Sequence, residues 1–503
     1  MNYRSHKITI LLFFILLVAI FLSLSIFFKA FYPFHVSCIP SKSTEHEFLQ
    51  YFDQRIKVLM TKYNIPGVNI ALIRQGKLLW VNAYGFANKE KAIPMKLETT
   101  CRVESISKSV TAWGILKLIE RGAISLDDRV IKHLKTWKFP PSAFNPETIT
   151  IRQLLSHSAG LPLGTIGVSY APDVVIPTLR ESLYKDAVMM TSPGSTFSYS
   201  NTGFNLLELL IEEVTNQPFA VYMQQEILQP LGMKHSSYQW RDSFQPFPNG
   251  YTLDGKPVPA YAYPEKGAGG LFSTIEDITR FVTAGMTKFN DTSTKVLSHQ
   301  SIQTLYNPTV KIPGLYGFAF PWYGFGHFIE FSKNNMIAVS HGGQGTGWMT
   351  HFHSIPQTGD GIVILTNSQR SWPFFAYILN DWARWIGFDS IGMSKIIFAE
   401  YTLWIVLYLI FMILLIYVYR LLKGLVLHTR SFMFIQKRYS PGQILKLCIA
   451  CGIFGILLWS INQDYLFITS VFPEASVWAG YCLAFCGFVL LMYFFMPEKS
   501  ISS

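Results

Sequence analysis

The chain has 503 residues, 50% of them hydrophobic, and 42 Lys and Arg against 31 Asp and Glu give a formal charge of +11. That length exceeds one ordinary domain, and that apolar content excludes a purely soluble protein, so the chain must touch a membrane. The charge does not make a nucleic-acid binder of it, because the basic residues are scattered and several orient membrane segments. Attraction to anionic lipid or to a wall polymer is the simpler account.

In chain order, Ile8 to Phe28 is an unbroken apolar run behind Arg4 and Lys7. It predicts an uncleaved anchor, or else a signal peptide, over residues 1–29. Residues 30–46 read as a linker, and Cys38, behind His35-Val36-Ser37, lies too far past the run for a lipid-attachment box. Phe48–Tyr63 repeats apolar residues at helical spacing and ends before Pro66. Two β-rich runs, Gly67–Ile73 and Lys77–Gly85, flank the hairpin signal Arg74-Gln75-Gly76. From Ser105 to about Arg121 the pattern is helical, and one turn brings Ser105 and Lys108 onto one face. A serine hydroxyl is a poor nucleophile, and a lysine amine can take its proton only if burial or charge lowers the amine's pKa. Gly122–Asp128 predicts a cap and then a short strand or turn.

Ile151–Pro162 is a short helix running into a glycine-proline loop, where His157 is expected to be structural, its ring hydrogen-bonded in the loop. Pro193–Asn201 is a loop; Thr202–Val214 resumes helical spacing with Glu212 and Glu213 on its polar side, and helical segments continue through Phe219–Leu228. The glycine-rich turn Gly267–Leu271 precedes a helix from Thr274 to Thr287. It predicts a close backbone approach near a cleft, since no lysine motif follows as a phosphate loop requires. Strand character returns at Gly317–Phe320, Met336–Ser340, Met349–Phe352 and Gly361–Thr366. His351 and His353 share a face, but no third metal ligand accompanies them. The helix Trp372–Trp385 closes a domain expected over 47–390. Strands at both ends and helices in the middle predict one sheet built from both ends, with an all-helical second lobe.

Three more apolar runs fall within 397–497, at about 398–422, 444–461 and 477–496, each near the length that spans hydrocarbon. The segment between the first two carries Arg420, Lys423, Arg430, Lys437 and Arg438, and that between the last two carries Asp464 and Glu474. The positive-inside bias predicts a multi-pass protein of the cell membrane with the basic loop in the cytoplasm and the large domain outside. Of six cysteines, Cys448, Cys451, Cys482 and Cys486 lie in these runs, which leaves Cys38 and Cys101 and no disulfide framework.

Ser105-x-x-Lys108 opens a helix, Tyr199-Ser200-Asn201 sits on a loop, and His341-Gly342-Gly343 follows the strand Met336–Ser340. In order and spacing this set resembles the serine β-lactamase and penicillin-binding protein superfamily, whose motifs are S-x-x-K, S-D-N or Y-x-N, and K-T-G. The tyrosine points to the class C β-lactamase and D-Ala-D-Ala carboxypeptidase branch. Leu154–Leu161 and Gly269–Thr274 resemble that branch's β-lactamase-like hydrolases and esterases, and the likeness runs from about Phe48 to Gly387.

The resemblance implies a β-lactamase/transpeptidase-like α+β/α fold: an antiparallel sheet flanked by helices plus an all-helical lobe, followed here by a three-helix transmembrane region. It implies a serine hydrolase in which Ser105 attacks a carbonyl and Lys108 and Tyr199 share the proton's transfer to the leaving group. Asn201, His341 and Gly343 would bind substrate, and the N–H groups of Ser105 and Gln344 would form the oxyanion hole. No metal or organic cofactor is implied. Tyr199 is expected to be made more acidic by the neighbouring ammonium.

One departure is His341, where the family has lysine. A largely neutral imidazole attracts a carboxylate less, which favours an ester, an internal amide, or a substrate whose carboxylate is held elsewhere. The expected partners are a small-molecule or peptide substrate and the lipid bilayer, with no nucleic acid. An exported hydrolase followed by three spans also looks like the prodrug-activating D-amino peptidases, which remove an acylated D-amino acid cap from an exported natural product. In that case the spans would contact an amphiphilic substrate or a transporter, or simply anchor the domain. A catalytically silent penicillin-binding sensor is the alternative from another class.

Overall fold

The protein is described here from a computed structural model, which covers residues 3–31, 43–164, 168–172, 174–244, 246–286, 288–289, 296–388, 391–434, 439–463 and 466–498. Cys38, most of the 30–46 linker, Thr287, Lys437, Arg438 and Asp464 lie outside the described residues. The chain forms two compact units, Ile39–Ile396 on the one hand and Met1–Cys38 with Ile397–Ser503 on the other.

In chain order the helices are α1 (Tyr3–Phe31), α2 (Glu45–Tyr63), α3 (Ile106–Glu120), α4 (Ile151–Leu155), α5 (Leu179–Asp186), α6 (Asn201–Thr215), α7 (Phe219–Met223), α8 (Ile275–Ala284), α9 (His299–Leu305), α10 (Gly314–Ala319), α11 (Trp372–Trp385), α12 (Ser394–Val426), α13 (Pro441–Ile461), α14 (Phe467–Val471) and α15 (Pro473–Phe495). The strands are β1 (Gly67–Arg74), β2 (Lys77–Asn88), β3 (Ile93–Pro94), β4 (Cys101–Arg102), β5 (Gly250–Tyr251), β6 (Pro257–Val258), β7 (Phe272–Ser273), β8 (Val310–Lys311), β9 (Trp322–Tyr323), β10 (Phe328–Phe331), β11 (Ile337–Gly345), β12 (Trp348–Ile355) and β13 (Asp360–Thr366).

Nine strands make one antiparallel sheet in the order β3-β2-β1-β13-β12-β11-β10-β9-β8. The seam between the two ends of the domain is β1 on β13, with Ile70 opposite Ile364. Both strands are mainly apolar, with Asn69 the only polar residue inside β1 and the other polar residues at the strand ends, and both are buried on both faces except at Arg74, as central strands covered by helices must be. Helices α2 and α11 pack on one face and α3 and α8 on the other. Period-2 alternation then sorts β12: Phe352 meets Phe281 of α8, whereas His351 and His353 meet Phe375 and Trp382 of α11. The capping box of Thr44 and Glu47 starts α2, and Asn64 in the left-handed conformation ends it before Pro66.

Helix α3 is the centre of the domain and is buried all round except at Lys117, Ile119 and Glu120, so its polar side chains need partners inside the fold. Its interior hydroxyls are each matched: Ser109 donates to the Gly326 carbonyl, Thr111 to the Gly267 carbonyl, and Ser107 accepts from the Leu271 N–H. Helices α4, α5, α6 and α7 form the helical lobe against it.

Three expectations need correction. Gly317–Phe320 is not a strand; it belongs to α10, whose turn ends with the Phe320 N–H donating to the Tyr316 carbonyl. Its apolar residues carry no alternation that would fix a strand register, and the local helical turn wins. Glu213 is buried, not on a solvent face: it accepts from Thr136, from Arg180 at 2.8 Å and from the Lys135 N–H at 3.2 Å. Finally, His341-Gly342-Gly343 does not follow its strand but lies inside β11.

In the second unit, α12, α13 and α15 are long and apolar enough to cross a membrane. Their side chains are mostly on the outside, with 17%, 6% and 22% of their most apolar windows buried, as helices that face lipid require. The apolar part of α1 described here, Ile10–Ser25, is shorter.

Candidate active site

Helix α3 begins directly after Ser105, and one turn on, Lys108 turns back beside it. The Lys108 Nζ donates to Ser105 Oγ at 2.9 Å, to Asn201 Oδ1 at 2.8 Å and to the Ala268 carbonyl at 2.8 Å. The lysine is fully buried. Burial disfavours its charge and pushes the amine down to about 7, with Glu104 pulling the other way. A neutral amine has two N–H donors and one lone pair. Asn201 and Ala268 take the donors, so the lone pair is left for the Ser105 hydroxyl.

Asn201 reaches the lysine because it is the first residue of α6, capped by Ser200, whose hydroxyl accepts from the Gly203 N–H. The glycine-rich turn is placed by two more residues of α6. Glu208 accepts from the N–H groups of Lys266 and Gly267, and Asn205 from the Ala268 N–H. The turn thus makes a close backbone approach, to Lys108 and to α6, and the carboxylate it does hold is the protein's own.

Tyr199 lies on the loop before α6, with its hydroxyl hydrogen-bonded to Ser105 and its ring 4.9 Å from Lys108 Nζ. Burial pushes its phenol well up from the ordinary value. This reverses the expectation of a more acidic tyrosine: the neighbouring amine is itself only partly charged, and desolvation of the phenolate outweighs it. His157 supports the tyrosine from behind, its ring 4.3 Å from that of Tyr199, while its Nδ1 accepts from the Ser200 N–H at 3.1 Å.

His341 is fully buried, its Nε2 3.1 Å from the Tyr323 hydroxyl and its Nδ1 2.7 Å from the Gly342 carbonyl. Burial first, then Lys108 and His327, push its pKa well below the ordinary value, so it is neutral near pH 7. Strand β10 pairs with β11 only as far as Ser340, while β12 follows β11 to Gly345 on the other side. On the β10 side, among the described residues, no strand covers His341–Gly345. Gln344 is half-buried there, and its side-chain oxygen accepts from Trp372 Nε1 on α11 at 3.0 Å.

Gly343 has no room for a side chain. An added Cβ would press on the Val103 carbonyl and the Thr350 hydroxyl and lie 3.0 Å from the Glu104 Cβ. Gly343→Ala is therefore expected to push β11 away from the segment that carries Ser105. It should cost about 2 kcal/mol of stability and slow acylation of Ser105 at least tenfold, roughly the loss of one misplaced donor. Thermal unfolding and the labelling rate check it, and a variant matching wild type in both would refute the close approach.

The residue before Ser105 carries information that motif spacing did not. Glu104 holds φ at 50°, a left-handed conformation costly for a side chain of its kind. Its carboxylate accepts from Arg102 Nε at 2.8 Å, from the Tyr261 hydroxyl at 2.8 Å and from the Tyr263 hydroxyl at 3.2 Å. The only sequence signal was the pair of opposite charges, Arg102 and Glu104, directly before Ser105. His351 and His353 lie 5.8 Å apart, ring to ring, and among the described residues no group of three or more His, Cys, Asp or Glu is placed to hold a metal ion.

A family model described as Beta-lactamase matches residues 52–379. Protein flp of Staphylococcus aureus (strain N315) is 28% identical over 331 residues, 63% of this chain and 63% of that protein. The chain therefore spans less than two thirds of that relative's length. Esterase EstB of Burkholderia gladioli is 26% identical over 271 residues, 46% of this chain and 68% of that protein. Among solved structures, the octameric penicillin-binding protein homologue from Pyrococcus abyssi aligns with a TM-score of 0.55 and 29% identity, covering 66% of this chain and 77% of that one. A penicillin binding protein from Bacillus halodurans gives 0.52 at 23% identity, over 64% and 98% of the two chains, a likeness of fold.

Proposed function

This chain belongs to the beta-lactamase family, and from that premise we propose that it is a membrane-anchored serine hydrolase that cleaves amide or ester bonds through an acyl-Ser105 intermediate. The observation that carries the reading is the 2.9 Å contact between a fully buried Lys108 amine and the Ser105 hydroxyl. The neutral amine takes the Ser105 proton as Oγ attacks the carbonyl carbon. The oxyanion forms against the N–H groups of Ser105 and Gln344, with Gly343 keeping β11 close. As the intermediate collapses, the bond to the leaving group breaks. That group takes a proton from Tyr199, which keeps its proton at neutral pH, and the Lys108 ammonium returns one to Tyr199. Asn201 orients the substrate amide, and water later releases the acyl group along the reverse proton path.

His341, buried and neutral, offers no cation to a free carboxylate. This supports esters and internal amides, D-amino-acid-containing or wall-related, over a free C-terminal D-Ala-D-Ala. The basic loop after α12 supports placing the hydrolase outside the cytoplasmic membrane.

A second reading, a prodrug-activating D-amino peptidase acting on an amphiphilic substrate, is favoured by apolar surface near Asn201. The Leu163 carbonyl accepts from the Asn201 N–H, and Tyr170 pairs with Ala262. Leu163 and Val168 are 43% and 46% exposed, apolar side chains open to solvent near these two contacts.

The test is fluorophosphonate and labelled-penicillin capture by wild type and Ser105→Ala, beside turnover of a short acyl ester and an N-acyl-D-asparaginyl amide. Labelling lost in Ser105→Ala, with ester turnover, is the expected result. Cleavage of the capped amide selects the second reading. A wild type that no reagent labels and that turns over neither substrate would point to a silent sensor and overturn the enzyme.

A further inference from the structure

A cavity of about 450 Å³ lies in the membrane unit, where α12 and α15 end, and is lined by Arg420, Lys423 and Arg430 with Tyr417, Tyr493 and Glu498. Its charges are unequal. Glu498 is engaged by Arg430, whose guanidinium also donates to the Met496 carbonyl at 2.8 Å and lies 4.6 Å over the Tyr493 ring. Gly424 makes this folding-back possible, since a Cβ there would be 2.8 Å from Arg430 Cδ. Arg420 and Lys423 face the same cavity, both exposed, and among the described residues no carboxylate pairs with either.

Position and chemistry identify the ligand class. Arg420 and Lys423 are one turn apart at the end of a helix long enough to span hydrocarbon, so their charges sit where the apolar segment gives way to polar residues. The two tyrosines are at the same level: the Tyr493 hydroxyl donates to the Tyr417 carbonyl at 2.9 Å, joining α15 to α12. Tyrosine is the residue of the membrane–water boundary. On the Arg420 face of α12, toward its interior, Ile416 and Ile413 are 42% and 52% exposed. A guanidinium fork and an ammonium over a cavity, continued by an apolar stripe, match a phosphodiester that carries acyl chains.

We propose that this cavity binds the headgroup phosphate of an anionic phospholipid. A soluble phosphate offers the same charge but gains nothing from the stripe of Ile413 and Ile416, whereas a lipid uses both.

The experiment is native mass spectrometry of the full-length protein equilibrated with equal amounts of phosphatidylglycerol and phosphatidylcholine in detergent. Wild type is expected to retain phosphatidylglycerol preferentially, and Arg420→Gln/Lys423→Gln to lose that preference by about tenfold. Lys423→Gln alone, at an exposed position that folding tolerates, should lose part of it, and Arg420→Lys, which keeps the charge without the planar fork, should lose part of it too. Gel filtration and the helical circular-dichroism signal report the fold. Equal retention of the two lipids by wild type overturns the proposal, as does an undiminished preference in a folded double variant. Displacement of the lipid by millimolar inorganic phosphate also overturns it, assigning the cavity to a soluble ligand.

Discussion

Lys108→Ala is expected to slow acylation of Ser105 by about 10²- to 10⁴-fold, the range that a positioned general base contributes. The amine has no substitute: it is fully buried, and the hydroxyl, the Asn201 oxygen and the Ala268 carbonyl all converge on it. Near-wild-type labelling kinetics in that variant would remove the lysine from the mechanism. The pH profile is a second signature. Because burial brings the amine down to about 7, kcat/KM should rise as pH rises through about 7 and level off above it. Stability should follow the same group. The folded amine titrates at about 7 and the unfolded one near its ordinary 10.5, so between those values the unfolded chain binds the extra proton, and stability increases with pH across that window. Below it the folded chain carries a buried ammonium at a cost on the order of a few kcal/mol. Lys108→Met should therefore be inactive yet melt higher than wild type at mildly acidic pH, with the difference shrinking as the pH is raised above 7. A methionine variant that melts lower at every pH would contradict this account.

Arg102→Met should destabilise the domain by about 3–5 kcal/mol, the usual cost of breaking a buried ion pair from one side. Arg102 and Glu104 are 1% and 3% exposed, so the carboxylate left behind is unpaired and out of reach of water. The guanidinium is also held over the rings of Tyr261 and Tyr263, 4.2 and 4.5 Å from their centroids, and donates to the Tyr261 carbonyl at 2.7 Å. In a domain of this size the loss amounts to a fall in Tm of roughly 5 °C. Activity should fall further than stability explains, because the pair holds Glu104 at φ 50° and so aims the peptide N–H of Ser105. Arg102→Met/Glu104→Gln should be less destabilised than the sum of its single variants, since no uncompensated charge remains. Additive losses, or a single variant that melts with wild type, would mean that the pair is not coupled. Substrate turnover measured well below the melting range separates the positioning effect from unfolding.

Local pattern was enough for much of the architecture. Helix Trp372–Trp385 has the ends that its periodicity predicts, β13 ends at Thr366 as its β-branched run does, and the three apolar runs after residue 397 are helices of spanning length. Each of these signals lies within one segment, so no distant contact is needed to read it. The pairing of Ser105 with Lys108 is of the same kind, because one helical turn fixes it.

What surrounds those groups was decided by tertiary structure alone. No spacing rule brings the Ala268 carbonyl to Lys108, lays Tyr261 and Tyr263 on Glu104, or closes Tyr323 over His341. Those neighbours set how far each group is desolvated, and desolvation decided the chemistry: it lowers the lysine, raises the tyrosine that the sequence predicted to be acidified, and leaves the histidine neutral. A sequence states which groups can ionise, but the free energy of ionising them depends on the dielectric that the rest of the chain packs around them.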